Sequence, residues 1–331
     1  MRPIAGLLGC VVLALAAPAA AGTYAVTILG PMDLGTVVTA ATGDTIFRID
    51  AGTGSAIVQS GSGRRVSTAS ARSQVQISCR PDRVGDTSCD TDKVPVRIGA
   101  IGALTGRART LRNFTAGING ATMAGPPSGS APLSFKLGPI GGSGSTTLSI
   151  GADFAVAGDD SGLPSGDGAN SFYVDVTDNS GQHQLAGDTN NGKVRALRAL
   201  AIAKMTDLNF GRIQRPTNGA STVTLSAATG ARSVSGNGAG FATPAPTVAA
   251  FTVSGEGGQQ VSLTVPTQFN LTGPATLSVT VNTTASATPT LSGTLGSGGT
   301  YGFSVGGAFA ITNATPVGAY AGVLAVSVDY N

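Results

Sequence analysis

The chain has no tryptophan, a single histidine, three cysteines and few charges, with Asp, Glu, Lys and Arg making up 11% of its 331 residues. Each scarcity narrows what the protein can do. The one imidazole, His183, lies in the polar stretch "DNSGQHQLAGDTNNG", which offers no rigid setting for a Ser-His-Asp triad. The first half carries carboxylate pairs, but an aromatic content of 5% gives little from which to build a sugar-cleaving cleft. The reading is therefore of a non-enzyme that needs no cofactor. A formal net charge of +3 is too small to argue for a nucleic-acid partner. After residue 21 no apolar run approaches the ~20 residues of a spanning helix. Disorder is excluded from the other side, because 41% of the residues are hydrophobic.

What the sequence does have is glycine, 49 of them, together with Ser, Thr and Val in short alternating runs. Such runs predict many strands joined by tight turns. At the start, Arg2, the apolar "LLGCVVLALAA" and Ala19-Ala20-Ala21 read as a secretory signal over residues 1–21. A lipoprotein box at Leu7–Cys10 is a rival reading, but it leaves too short an apolar stretch before Cys10. Removing the signal leaves Cys79 and Cys89 in "SCRPDRVGDTSC". In an exported chain the pair reads as a disulfide across a hairpin; a metal site is the alternative, weakened by the lack of a nearby His.

Internal similarity organises the rest. "MDLGTVV" at Met32 recurs as "TDLNFGRI" at Thr206, and "GSGRRVS" at Gly61 as "ATGARSVSG" at Ala228. The stretch from Leu148 through "SFYVDVTD" returns from Phe303 through "GVLAVSVDY". The expected organisation is two copies of one domain, residues 22–178 and 194–331, joined by a linker over 179–193. Each copy shows seven or eight short alternating runs and no sustained helical period. The predicted fold is all-β, two tandem immunoglobulin-like sandwiches, with a closed barrel as the alternative. "NNGKVRALRALAIAKM", Asn191 to Met205, fits either linker plus first strand, the simpler account, or a strand completing the first copy. The chain closes on "GAYAGVLAVSVDYN", where Tyr320, Gly322, Leu324, Val326, Val328 and Tyr330 share one face.

The segments "DLNFGRI", "TVTLSAATGARSVSG" and "GAYAGVLAVSVDY" resemble a bacterial family known only as domain of unknown function 4402. That family is in turn similar to spore-coat-U-type proteins and to subunits of archaic chaperone–usher pili. The resemblance covers nearly all of the second copy and the first more loosely. It implies an incomplete sandwich completed by a strand from another subunit, with Gly318, Leu324, Val326, Val328 and Tyr330 walling the acceptor groove. The penultimate Tyr330 and the Gly318 twelve residues before it fit the terminal pattern of such subunits. A periplasmic chaperone, an outer-membrane usher and other pilus subunits would be the partners. The location would be the periplasm in transit and then the cell surface.

About ten residues separate the expected cleavage site from "MDLG", too few for a spare donor strand, so a tip adhesin is expected rather than a shaft subunit. From Gly22 to Asp178 there are 12 basic and 13 acidic residues, against 4 and 3 from Leu200 onward. Recognition is therefore sought in the first copy. Arg107 and Arg109, on one strand face with Arg112 near them, are candidates for gripping anionic groups of a surface glycan, beside the plainer reading of a solvated face. Met123, in the Pro-rich loop "TMAGPPSGSAPL", is a candidate for an apolar adhesive tip or for simple packing. Asp159, Asp160 and Asp167 are a weak calcium candidate, lacking the alternating order of an EF-hand loop. The competing expectation is a self-contained structural or matrix surface protein without strand donation.

Overall fold

A computed structural model describes residues 22–125, 131–181 and 183–331; the expected signal segment lies outside them. Nearly all regular structure is strand. The first half holds β1 (Thr23–Ile28), β2 (Met32–Val38), β3 (Thr45–Ile49), β4 (Ala56–Ser60), β5 (Arg64–Arg65) and β6 (Ser73–Arg80). After a one-turn helix α1 (Ser88–Thr91) come β7 (Val94–Thr105), β8 (Arg112–Ile118), β9 (Ala121–Ala124), β10 (Leu133–Leu137), β11 (Ser145–Val156), β12 (Gly166–Thr177) and β13 (Gln184–Leu197). One sheet runs β1-β6-β11-β3-β4 with β8 and β9 branching from β11; the other runs β10-β7-β12-β13-β2-β5. Alternate side chains of the two sheets interlock: Phe47, Ile77, Leu148 and Phe154 face Leu34, Val96, Phe172 and Val174, all at 0% exposure. This is a sandwich core.

The second half holds β14 (Ala201–Thr206), β15 (Ile213–Gln214), β16 (Ala220–Leu225), β17 (Arg232–Val234), β18 (Ala239–Gly240) and β19 (Ala249–Glu256). β20 (Val261–Thr264), β21 (Gln268–Thr272), β22 (Thr276–Thr283), β23 (Gly298–Thr312) and β24 (Ser327–Tyr330) follow. One sheet is β14-β19-β23-β16-β17, with β22 on β23 and β21 on β22. Opposite it stand only two separate pairs, β20–β24 and β15–β18.

Matching hydrogen bonds set the correspondence between halves. In β2, Gly35 at φ 78° donates to the Asp33 carboxylate at 2.8 Å, and Asp33 bridges Ala71. Gly211 at φ 73° donates to Asn209 at 2.8 Å, and Asn209 bridges Thr247. A left-handed residue adds one position to the strand, and glycine takes that conformation without strain. Leu34-Gly35 thus answers Phe210-Gly211, two residues along from the Asp33–Asp207 match that the letters invite. In the same way, the turn closed by Asp50 N–H to Ser55 O and Gly54 N–H to Asp50 O recurs as Ser226 N–H to Ala231 O and Gly230 N–H to Ser226 O. "ATGARSVSG" therefore answers "GTGSAIVQSG", not "GSGRRVS".

The segment expected as a linker is strand over most of its length. β13 runs antiparallel to β12 from Gly166↔Ala196 to Thr177↔Gln184 and parallel to β2 from Gly192↔Met32 to Leu197↔Val38. It completes the first sandwich, the less simple of the two readings of Asn191–Met205. The halves then meet without a flexible tether. Leu197 and Val38 enter the second core beside Leu200 and Tyr330, and Ala199 N–H donates to Asp159 at 2.9 Å.

Cys79 of β6 and Cys89 of α1 form a disulfide with 5.7 Å between Cα atoms. It ties a strand to a helical turn rather than closing a hairpin. Both cysteines are buried, and the closed loop spans a sequence separation of 10. Replacing both with alanine is expected to cost about 2–3 kcal/mol, read as a lower urea midpoint for the first half.

Candidate functional site

In the first half, β13 fills the space between β12 and β2 and pairs with both. Among the described residues, the second half has no strand there: β24 pairs with β20 alone and β15 with β18 alone. The corresponding space is an open groove of about 810 Å³. One wall is the segment 207–215, the other is 315–324, and the floor carries Phe210, Phe309 and Ile311.

Side chains in equivalent positions differ in burial. Val176 pairs with Val96 and Val328 with Leu263, so Phe172, Val174 and Val176 answer Leu324, Val326 and Val328. The first three are fully buried at 0%; the second three are only half-buried. Phe154 lies beneath Gly192 of β13, where an added Cβ would come within 3.0 Å of its ring. Its counterpart Phe309 packs edge-on against Phe210, with ring centroids 4.9 Å apart, and faces the groove. Residues 322–326 carry the alternation of a strand without a ladder. Both walls therefore present main-chain groups and apolar side chains to an added strand.

The terminal residues expected as groove walls divide along the chain. Gly318 and Leu324 line the groove. Val326 and Val328 continue the same face into the second core. Tyr330 sits at the seam between the halves, 7% exposed, where its hydroxyl accepts from Glu256 N–H at 2.6 Å and donates to Arg198 O at 2.9 Å. Burial pushes the phenol pKa up to about 12. Beside it Glu256, fully buried, accepts from Arg198 N–H at 3.1 Å and Gly296 N–H at 2.5 Å. The groove-lining residues the sequence reading missed, Phe210, Phe309 and Ile311, carry no local signal beyond apolarity; only alignment with β2 and β11 picks them out.

The first-half candidates fare differently. Arg107 is not on a strand face and cannot grip a ligand: its side chain is 1% exposed and ion-paired with Asp159. Arg109 lies in the same connection, 3.5 Å from Asp44, and Arg112 opens β8 exposed to solvent, so the three do not form one cationic face. Met123 is half-buried against the first core, while residues 126–130 of its loop lie outside the described residues. The calcium candidate is not assembled. Asp159 is held by Arg107 and Ala199 N–H, Asp160 accepts from Gly43 N–H at 3.0 Å, and Asp167 pairs with Arg195 at 2.7 Å. Among the described residues no three such side chains gather elsewhere as a metal site. No helix among them is long and apolar enough to cross a membrane.

Residues 200–330 match the family described as Domain of unknown function (DUF4402). No curated protein matches the chain. Among solved structures, the CupB6 tip adhesin from Pseudomonas aeruginosa is similar at 12% identity over 78% of this chain and 85% of that one, with a TM-score of 0.23. A structure described as a chaperone–tip adhesin complex vital for activation of CFA/I fimbriae biogenesis is similar at 13% identity over 91% and 97%, with a TM-score of 0.21. Superpositions this loose establish no shared fold.

Proposed function

We propose that the chain is a non-enzymatic, exported surface adhesin built as two copies of one sandwich, the first complete and the second short of one strand. The second accepts that strand from another chain, first a periplasmic chaperone and then a neighbouring fimbrial subunit delivered through an outer-membrane usher. The observation that carries the reading is internal to the molecule. The place that β13 fills between β12 and β2 is, in the equivalent position of the second half, an 810 Å³ groove with an apolar floor. An added strand would gain main-chain hydrogen bonds from both walls and bury alternate side chains on the floor. Each buried aliphatic side chain is worth ~1.5–3 kcal/mol, so three or four are comparable to a domain's net stability of ~5–15 kcal/mol. The resemblance to pilus subunits in the terminal strand points the same way. β1 is paired along its whole length with β6 and so is committed to its own sheet rather than held in reserve for donation. The first half, with its greater charge and the exposed Arg112, is the proposed recognition unit.

The test is thermal unfolding of the full chain with a strand peptide covering residues 188–197 of β13, carrying N190V and G192V to suit an apolar floor. Two transitions are expected, the lower belonging to the second half. Peptide at a hundred times its Kd adds about 2.7 kcal/mol, which raises that transition by roughly 10 °C. A single transition indifferent to the peptide would instead favour a self-contained surface protein.

A further inference from the structure

Every side-chain carboxylate of the second half is already engaged: Asp207 with Lys204 at 2.5 Å, Asp329 with Arg64 at 2.6 Å, and Glu256 at the seam with Arg198 at 3.8 Å. Arg212 and Arg215 on the groove wall have no acidic partner among the described residues. Arg212 is exposed and held in place over the Phe241 ring, 5.3 Å from its centroid. Arg215 donates to Thr315 O at 3.2 Å, across the groove mouth.

The first half shows what stands at this register. There β13 places Arg195 between Asp167 of β12 and Thr36 of β2, and Arg195 forms an ion pair with Asp167 at 2.7 Å. Thr36 follows Gly35 as Arg212 follows Gly211, so Arg212 is its counterpart. The pairing of Val328 with Leu263, matched to that of Val176 with Val96, makes Ala319 the counterpart of Asp167. Between the same two walls, then, the acid of the first half is replaced by alanine and the threonine by arginine. A basic residue on the incoming strand would lose its partner and meet a like charge, which cross-strand neighbours disfavour.

The inward face changes too. Gly192 is forced by crowding: an added Cβ would lie 2.2 Å from Asn170 Oδ1. Asn170 is answered by Gly322, which removes that obstacle, and Asn190 lies opposite Phe172, which is answered by Leu324.

We infer that the groove's natural occupant is an extended segment of a partner chain that lies parallel to 208–214, puts apolar side chains inward, and carries an outward carboxylate opposite Arg212. This rests on the groove reading above and specifies its ligand. Because the floor selects for alternation and Arg212 for charge, the groove would disfavour the chain's own β13, whose outward residue at this register is Arg195.

The experiment measures binding of two fluorescent peptides to the full chain by anisotropy at low salt. Both span residues 188–197 with N190V and G192V; one keeps Arg195 and the other carries R195E. The R195E peptide is expected to bind about fivefold more tightly, the margin shrinking in high salt, and Arg212→Glu in the protein should invert the order. Equal affinities, or a preference that Arg212→Glu leaves unchanged, would overturn the carboxylate inference while the groove stands. If neither peptide binds, the groove reading itself fails.

Discussion

Asp159→Asn is expected to cost about 3–5 kcal/mol, the largest loss anticipated from a single substitution in this chain. Arg107 is buried with 1% of its side chain exposed and remains cationic whatever its surroundings. Its guanidinium reaches Asp159, the Thr39 hydroxyl at 2.8 Å and Leu163 O at 3.2 Å. Only the first supplies a full opposing charge. Asparagine keeps the shape, but its one oxygen can accept from Ala199 N–H or from Arg107 and Thr39, not from both sides. The variant therefore leaves the buried cation without an opposing charge and also sets an amide N–H against one set of donors. Removing both charges should cost less than removing one, because the desolvation penalty leaves with the charge. The double variant Arg107→Met with Asp159→Asn is therefore expected to be more stable than Asp159→Asn alone. Urea midpoints of the two singles and the double close the cycle; strictly additive losses would mean the pair is not coupled.

The same pair shows where sequence reading reached and where it stopped. Arg107 and Asp159 were both conspicuous in the sequence, but as a ligand grip and as a cation site. Nothing in "GRARTLR" tells a buried guanidinium from a solvated one, because burial depends on where the connection from Val156 to Gly166 folds back. The disulfide was legible from compartment and spacing, and the terminal strand from its period of two: Leu324, Val326, Val328 and Tyr330 lie inward while Val323 is 84% exposed. β13 was hidden for a physical reason. Its inward positions include Asp188, Asn190 and Gly192: Asp188 accepts from Ile28 N–H at 2.7 Å, and at Gly192 Asn170 and the Phe154 ring leave no room for a Cβ. A strand of 14 residues with only Thr189 and Val194 β-branched reads as a linker. The groove was harder still, since a missing strand leaves no letters: the resemblance to pilus subunits pointed to Gly318 and Leu324 on one wall, while the other, 207–215, could be named only by laying the pairings of β2, β12 and β13 over the second half.

Tyr330→Phe is expected to lower stability by about 2 kcal/mol, because it strips a buried N–H and a carbonyl of their shared partner. The hydroxyl joins Glu256 N–H to Arg198 O, one bond in each half, and so pins the end of the groove-wall strand to the first sandwich. The wild-type residue should also announce itself in alkali. Burial holds its folded pKa at about 12, above the ~10 of an unfolded tyrosine. The folded state thus favours the neutral phenol. That contribution is complete below pH ~10 and is lost as pH rises from there through about 12. Tyr24 in the first half is shifted the same way, chiefly by burial, and keeps its share of the slope in the variant. Urea midpoints between pH 9 and 11 should therefore fall more steeply for the wild type than for Tyr330→Phe. The variant would also loosen residues 322–328, on which the proposed partner strand would register, so amide exchange there should quicken even in the absence of peptide. Unchanged exchange with an unchanged alkaline slope would place the pin elsewhere, with the Glu256 carboxylate the next group to replace.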